Sequence, residues 1–318
     1  MLKTLSEMTG VSGYEKRLTE YLYQELCTND YGEVYIDKVG NLVFYVKGSN
    51  SQKKVLIQSH IDEVGFQVIS EIKKGQYSLK SLGNIKTWNA YQQRVVSDKG
   101  INGVIYAKDP EQLKSYNYDN LFLSIETKDA SETVSLGDVF TFESSFIETD
   151  ECFVGKALDN RVSCYCLMNA ISKCKTLKND TYFCFSVMEE INMRGARVLK
   201  STIQPDVSIT VDVSGVGNRN SLKQGMGVGI KVSDGMGVST QQCVERAVMI
   251  AKENRMKYQL EVSDGGTSEL VISNEIDNGC EEIGISIPCN YMHTANTKVY
   301  KSDVSVCMQF LPMLLVNI

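Results

Sequence analysis

The chain has 318 residues, of which 42% are hydrophobic and 23% charged, with a formal net charge of −6 and a sequence pI of about 5.2. These values are typical of a globular protein with a large core, and they give no basic surface for nucleic acid or an anionic membrane. No apolar run approaches the roughly 20 residues that span a bilayer, and the start of the chain lacks the apolar core of a signal peptide. We therefore expect a cytoplasmic protein.

The predicted elements begin with a helix, because residues 14–26 place their apolar side chains on one helical face. Three β-like runs follow, at 33–36, 42–46 and 54–58. His60 lies just past the end of the third run. A scarce imidazole at the end of a buried strand is a candidate for function, since the chain has only two histidines.

The segment from about residue 70 to residue 151 has a different pattern. Its apolar runs are short and separated by turn residues, and it shows no helical period. We predict a small inserted β-domain or barrel at 70–151. Residues 1–69 and 152–318 are then one discontinuous domain.

After Gly155, predicted strands and helices alternate. Helices are expected from Asp159, from Gly195 and over 241–254, and Ser302-Asp303 is a candidate cap for a last helix. The predicted strands are 182–188, 207–213, 258–262 and 283–287. Apolar runs that continue rather than alternate indicate strands buried on both faces. The predicted fold class is therefore α/β, an α/β/α sandwich with an inserted small β-barrel-like domain.

Ten cysteines are scattered along the chain, several of them inside apolar stretches, and no Cys-x-x-Cys pair occurs. This pattern indicates reduced, buried thiols rather than disulfides. It argues against a thiolate zinc site and gives no support to a cysteine nucleophile.

Seven polar side chains lie where predicted strands end or helices begin. They are His60, Asp62, Asp159, Glu189, Glu190, Asp212 and His293. Ligands bind at this edge of open α/β sheets, so residues that are distant in sequence can meet there. Taken alone, a His-x-Asp pair is more often structural, and Asp159 is best explained as a helix N-cap. Taken together, two imidazoles and several carboxylates without thiolates suit zinc, cobalt or manganese.

A site for two metal ions needs one bridging carboxylate, with further ligands on each side and a free carboxylate as general base. The spacing His60-x-Asp62 also suits a carboxylate that orients a metal-binding imidazole. Glu189 and Glu190 can serve one site only if the regular strand has ended before them, because neighbouring strand residues point to opposite faces.

Eight motifs, in this combination and order, carry a family resemblance. They are Gly10–Glu15, Asp37–Leu42, Ser59–Phe66, Gly155–Arg161, Glu189-Glu190 with Arg194–Ala196, Val211–Val213, Gly265–Thr267 and Tyr291–His293. The chain resembles the M42 family of dinuclear metallo-aminopeptidases, which includes glutamyl and deblocking aminopeptidases. The resemblance implies a zinc-exopeptidase-like fold and a hydrolase that removes N-terminal residues from peptides with a free N-terminus.

The resemblance also implies residue roles and cofactors, namely two divalent ions per subunit, zinc or cobalt, with manganese as a third option. The implied ligands are His60 and Asp212 for one ion, Glu190 and His293 for the other, and Asp159 bridging both. Glu189 would be the general base for the water between the ions. Asp62 would orient the His60 imidazole.

The resemblance further implies a homo-oligomer, based on dimers and up to a dodecamer, in which segment 70–151 serves oligomerisation and substrate access. The chain departs from the family pattern at Asn192, Val228, Ser268 and 294–297. None of these departures removes a metal ligand, and their effect would fall on substrate preference or assembly.

Three alternatives stay open at this stage. An M20-type amidase or deacylase uses a similar ligand order but places its extra domain after the fourth ligand, whereas here a long β-like segment separates Asp62 from Asp159. A glycosidase would use two carboxylates and leave both histidines unexplained. A metal-binding protein without catalysis would have no need for Glu189.

Overall fold

The structure, a computed structural model, describes residues 1–125, 134–217, 219–275 and 279–318, with the backbone alone for 273–275. It consists of an 11-stranded mixed sheet with helices on both faces, and a closed barrel of six strands. The predicted fold class, an α/β sandwich with an inserted small barrel, is confirmed. Part of the predicted segment 70–151, residues 126–133, lies outside the described residues.

The α-helices are α1 (Leu2–Glu7), α2 (Lys16–Leu26), α3 (Thr87–Ala90), α4 (Leu158–Lys173), α5 (Arg194–Ile203), α6 (Gln241–Glu253) and α7 (Lys301–Val316). The strands of the N-terminal half are β1 (Glu33–Ile36), β2 (Leu42–Val46), β3 (Lys54–His60), β4 (Gly65–Lys73), β5 (Gln76–Leu82), β6 (Arg94–Ser97), β7 (Asn102–Ala107), β8 (Leu121–Ser124) and β9 (Val139–Phe142). The later strands are β10 (Ile147–Glu148), β11 (Cys152–Gly155), β12 (Asp180–Ser186), β13 (Val207–Gly215), β14 (Val228–Ser233), β15 (Tyr258–Val262), β16 (Glu281–Asn290) and β17 (Thr297–Tyr300). Short 3₁₀ helices lie at Pro110–Gln112, Tyr118–Asn120 and Glu269–Glu275.

The main sheet has the strand order β1-β2-β12-β3-β13-β16-β17-β11-β10, and β14 pairs with β16 and carries β15 at its edge. Its central strands are parallel, because β3 pairs with β12 and β13, and β13 pairs with β16. The C-terminal ends of these four strands therefore meet at one edge. His60 is the last residue of β3, whereas the sequence had placed it just past the strand.

The two faces of the central sheet differ in chemistry. On β13, valine and isoleucine alternate with Ser208, Thr210, Asp212 and Ser214, and all of these residues are buried. The apolar face packs into the main core beneath α1, α2, α4, α6 and α7. The other side lies beneath α5 and the 3₁₀ helix at 269–275, and next to α5 it carries a small apolar cluster with Leu56, Cys184 and Leu199. We call the rest of this side, around β13, β16 and the C-terminal end of β12, the polar face. The expectation of continuous apolar strands is wrong for β13, because both of its faces are buried but only one is apolar.

Ionised groups are paired inside the polar face. The Lys200 ammonium donates to Glu282 Oε1 at 2.7 Å and to the Glu269 carbonyl oxygen at 3.0 Å. Ser186 donates its hydroxyl hydrogen to Glu269 Oε1 at 2.5 Å. Burial raises the pKa of Glu282 to about 7, although the positive charge of Lys200 opposes the rise.

The barrel has the closed strand order β4-β5-β8-β7-β6-β9 and its own core, which includes Phe66, Ile105, Leu123, Phe140 and Phe142. Its strands lie between Gly65 and Phe142, whereas β10 and β11 pair with the main sheet. The inserted unit thus starts and ends earlier in the chain than the predicted range of 70–151.

A buried carboxylate, Glu63, joins the barrel to the main sheet. It accepts a hydrogen bond from Thr141 Oγ1 of the barrel at 2.7 Å. On the sheet side it accepts from the Gly10 amide at 3.0 Å and from the Lys156 ammonium at 2.8 and 2.9 Å. Glu63 and Lys156 are both 2% exposed, so this ion pair is buried.

The start of the last helix differs from the prediction, whereas the cysteines are free thiols as predicted. The predicted cap of the last helix is wrong, because α7 begins at Lys301 and the Asp303 carboxylate accepts hydrogen bonds from the amides of Gly225 and Gly227 at 2.7 and 2.8 Å. All ten cysteines are free thiols, and eight of them are buried. Across the described ranges, no helix is both long enough and apolar enough to cross a membrane.

Candidate metal centre

A cavity of about 850 Å³ lies at the C-terminal edge of the central strands, on the polar face of the sheet. Six of the seven predicted site residues line it, namely His60, Asp159, Glu189, Glu190, Asp212 and His293. The barrel closes one side of the cavity through Asn84 and Lys86. The seventh residue, Asp62, is fully buried behind His60.

The first group of possible ligands is formed by His60, Asp159 and Asp212. His60 Nε2 lies 3.4 Å from Asp159 Oδ1 and 3.7 Å from Asp212 Oδ1. All three side chains are buried, and their ligand atoms lie within 4.8 Å of one another. One metal ion can therefore contact all three.

The second group is formed by Asp159, Glu190 and His293. His293 Nε2 lies 3.3 Å from Asp159 Oδ2 and 3.2 Å from Glu190 Oε1. Asp159 belongs to both groups and turns one carboxylate oxygen towards each histidine. This is the arrangement that two ions with a bridging carboxylate require.

Each imidazole has an oxygen atom near its other ring nitrogen. His60 Nδ1 lies 3.4 Å from Asp62 Oδ1. His293 Nδ1 lies 2.9 Å from the carbonyl oxygen of Asn84, which follows β5 of the barrel. Such contacts fix the orientation of a ligating imidazole and leave Nε2 free for a metal ion. The sequence had predicted the contact of Asp62 and had missed that of Asn84, because a backbone carbonyl has no sequence signature.

The turn after β12 explains how two adjacent glutamates reach one site. β12 ends at Ser186, and Met188 has a φ of +55°, in the left-handed region that residues other than glycine rarely adopt. The amides of Glu189 and Glu190 then donate to the two oxygens of Asp62 at 2.9 and 3.1 Å. The regular alternation of the strand has ended, and both carboxylates point into the cavity.

Negative charge accumulates at the site. Burial raises the pKa of Asp212 to about 7, opposed by His60 and reinforced by Asp159. Burial also raises the pKa of Glu189 well above its usual value. The nearby charge of His60 lowers this pKa, and that of Glu190 raises it further. Burial lowers the pKa of His293, but the carboxylates of Glu190 and Asp159 outweigh it and raise that pKa well above its usual value. The cluster therefore favours bound cations.

The donor set fits divalent ions. Two imidazole nitrogens and several carboxylate oxygens converge without any thiolate, a combination that suits zinc, cobalt or manganese. The residues present thus fit a pair of divalent ions.

The sequence had missed Lys231 on the opposite wall of the cavity. It lies on β14, is 4% exposed, and places its ammonium 3.4 Å from Asp234 Oδ2 and 3.4 Å from Ser268 Oγ. A lysine inside a strand gives no signal of its own.

Comparison with known proteins decides the family. A sequence profile described as M42 glutamyl aminopeptidase matches residues 40–310. The chain belongs to this family. The family predicted from the motifs is therefore confirmed.

Related proteins support the same conclusion. A protein of Acetivibrio thermocellus that is provisionally named an aminopeptidase is 30% identical over 98% of this chain and 96% of its own length. The TET aminopeptidase of Thaumarchaeota archaeon SCGC AB-539-E09 has a solved structure with a TM-score of 0.92 at 29% identity, covering 99% of this chain and 95% of that one. The fold also matches Pyrococcus horikoshii TET1 peptidase, which can assemble into a tetrahedron or a large octahedral shell, with a TM-score of 0.90 at 23% identity over 100% and 98% of the two chains.

As a member of the M42 family, the chain is a hydrolytic aminopeptidase that removes N-terminal residues from peptides, and the family implies divalent metal ions. The M20-type, glycosidase and non-catalytic alternatives are set aside. The barrel lies between His60 and Asp159 in the chain, whereas an M20-type enzyme has its extra domain after the fourth ligand.

Proposed function

We propose that this M42 aminopeptidase carries two divalent ions, zinc or cobalt, in the two ligand groups that share Asp159, and that Glu189 is its general base. The shared carboxylate is the observation that carries the proposal, since a single ion would not require two complete groups around one aspartate. His60 and Asp212 complete one group, and Glu190 and His293 complete the other.

The chemistry then divides between the ions and the protein. When bound, the ions would supply a Lewis acid for the scissile carbonyl group and would lower the pKa of the attacking water. Glu189 Oε2, which lies 3.9 Å from His60 Nε2, would accept a proton from the attacking water and would return it to the departing amine.

The substrate is a peptide with a free N-terminus, which the cavity of about 850 Å³ is large enough to receive. Asp62 and the Asn84 carbonyl orient the imidazoles of His60 and His293. The candidate ligand atoms are therefore held in place before the N-terminus of the peptide binds. Because Asn84 and Lys86 belong to the barrel segment, the barrel shapes access to the site.

We also propose that the chain forms a homo-oligomer based on dimers, up to a dodecamer, with the barrel contributing to assembly. The support is the shell assembly of the structurally similar P. horikoshii TET1 peptidase. Light scattering of the purified protein tests this proposal directly. A monomer as the only species over the whole concentration range would contradict it.

The activity is tested with a panel of aminoacyl-p-nitroanilides and short peptides, with added zinc or cobalt and again after chelation. We expect single N-terminal residues to be released, with full dependence on the metal. Two metal ions per chain in a protein that hydrolyses nothing in the panel would contradict the proposed substrate.

The role of the base is tested by comparing neighbouring substitutions. Glu189→Gln should lower kcat by about 10²–10⁴-fold, because the proton acceptor is lost, and should retain two metal ions per chain. Glu190→Gln should instead weaken the binding of one ion, because that carboxylate belongs to a ligand group. The measurements are steady-state kinetics and metal content by mass spectrometry. A fully active Glu189→Gln variant would show that another group is the base.

A further inference from the structure

Two sequence motifs, Gly10–Glu15 and Asp37–Leu42, contain no metal ligand, yet both contact the same turn. We call residues 187–195, which follow β12 and carry Glu189 and Glu190, the base turn. One motif precedes α2 and the other joins β1 to β2, so both lie more than 140 residues away in sequence. The proposed function gives neither motif a task.

The first motif reaches the base turn through Glu15. Its side chain is 6% exposed, and Oε1 accepts hydrogen bonds from the Gly13 amide at 2.8 Å and from the Met188 amide at 3.0 Å. Met188 is the residue with positive φ directly before Glu189. Residues other than glycine rarely adopt this conformation, so it requires contacts that favour it. The hydrogen bond from its amide to Glu15 is such a contact.

The second motif reaches the base turn through Asn41, which is completely buried. Asn41 Oδ1 accepts from the Val187 amide at 3.0 Å, and Asn41 Nδ2 donates to the Gly195 carbonyl oxygen at 3.0 Å. Asp37 Oδ2 accepts a second hydrogen bond from Asn41 Nδ2 at 2.7 Å and fixes the orientation of the amide. One side chain therefore holds both ends of the base turn.

A third contact closes the arrangement. Ser12 donates its hydroxyl hydrogen to Asp62 Oδ2 at 2.5 Å. The same carboxylate accepts the amides of Glu189 and Glu190. The N-terminal motif is thus connected to the middle of the base turn as well as to its start.

We propose that Glu15 and Asn41 are positioning residues for catalysis, which hold the base turn so that Glu189 and Glu190 point into one site. The inference rests on the proposed role of Glu189. The hydrogen bonds go to backbone groups on either side of the base, and none of them goes to a metal ligand side chain. Their loss should therefore disturb the geometry of the base before it disturbs the fold.

The test compares three variants of the metal-loaded enzyme. Glu15→Ala should lower kcat by about 10–100-fold, because it loosens the segment that carries the base. KM should change by less than about threefold, because Glu15 itself does not line the cavity. Glu15→Gln should stay within about threefold of the original kcat, since its amide oxygen can accept the same two hydrogen bonds. Ser6→Ala is the matched control, because this buried hydroxyl donates to the Lys156 carbonyl oxygen at 2.7 Å and does not touch the base turn.

A second readout needs neither metal nor activity. In the metal-free protein, hydrogen–deuterium exchange of peptides covering 187–195 should rise in Glu15→Ala and Asn41→Ala, and not in Ser6→Ala. If Glu15→Ala does not fold, Glu15→Asp takes its place, because its shorter side chain withdraws the oxygen from the Met188 amide. The same results are expected for it.

Two outcomes would overturn the inference. One is a Glu15→Ala variant with unchanged kcat and unchanged exchange in the base turn. The other is faster exchange throughout the chain with an equal loss of kcat in Ser6→Ala, which would make the contacts ordinary contributions to stability. A wild-type protein without aminopeptidase activity would count against the proposed function instead, and the exchange experiment would still decide the role of Glu15.

Discussion

The two faces of the central sheet are both buried, but burial has different energetic consequences on each. On the apolar face, valine, isoleucine and phenylalanine side chains fill the main core, where the removal of apolar area from water stabilises the fold. On the polar face, serine, threonine and charged groups are buried at a cost that hydrogen bonds and ion pairs must offset. The metal centre lies where the polar face ends at the strand termini. The comparison teaches that one strand can supply fold and chemistry from alternate residues.

The largest expected effect comes from Asp212→Ala on the polar face. It removes a ligand atom from one of the two groups and should lower kcat by about 10³-fold or more, since an ion contributes several kcal/mol. Kinetics and metal content measure the result. We expect the variant to lose one metal ion per chain and the metal-free variant to stay folded. Full activity of the variant would show that Asp212 is not a metal ligand.

The neighbouring substitution, Val211→Ala, truncates a side chain on the apolar face of the same strand. Val211 is fully buried in the main core, so its truncation should destabilise the protein by about 2 kcal/mol through lost burial and a small cavity. The kcat of the folded enzyme should stay within about twofold. Urea unfolding and kinetics test both statements, and a large loss of kcat without a loss of stability would contradict the division between faces.

A smaller effect on kcat, about 10–100-fold, is expected where the barrel meets the metal centre. A Cβ atom on Gly83 would lie 2.6 Å from Val64 Cγ1 and 3.1 Å from Glu190 Oε2, so Gly83→Ala should displace that ligand and weaken metal binding. Gly100→Ala is the matched control, because Gly100 has a similar φ (+80° against +84°) and no atom of the described residues lies within 4 Å of the added Cβ. Equal effects of both substitutions would mean that backbone strain alone is responsible.

The smallest effect is a pH dependence of stability from the polar face. The pKa of Glu282 is about 7 in the folded protein against an ordinary value of 4.5, so its contribution is present below pH 4.5 and is lost as the pH rises through 7. The free energy of unfolding of the wild type, relative to Glu282→Gln, should therefore fall between pH 5 and pH 8. Urea unfolding of the metal-free proteins measures it, and a constant difference would contradict the raised pKa.

The candidate ligand residues could be chosen from the sequence because their chemistry is local to their motifs. His60, Asp159 and His293 are rare or costly residue types at positions where strands end or helices begin, and the structure brings them together. The adjacent pair Glu189-Glu190 could be predicted to require a break in the strand. That the break would occur through a methionine with positive φ could not be predicted, since the residue type does not favour it.

What the sequence did not reveal depends on tertiary contacts. The motif Gly10–Glu15 was recognisable, but nothing in it indicates that Glu15 would accept the Met188 amide. β13 alternates apolar and polar residues although both of its faces are buried, so alternation alone did not reveal what covers the sheet. Asp303 was predicted to cap its own helix, whereas its carboxylate binds the amides of a neighbouring loop.

The buried pair at the junction, Glu63 with Lys156, has a consequence for how the molecule melts. If the barrel opened alone, Glu63 would lose the Thr141 hydroxyl while its charge remained beside the sheet, and His293 would lose the Asn84 carbonyl oxygen. Unfolding of the barrel alone would therefore leave polar groups of the sheet unit without their hydrogen-bond partners. This cost couples the unfolding of the two units. Barrel and sheet should consequently unfold in a single cooperative transition, even though each has a hydrophobic core of its own.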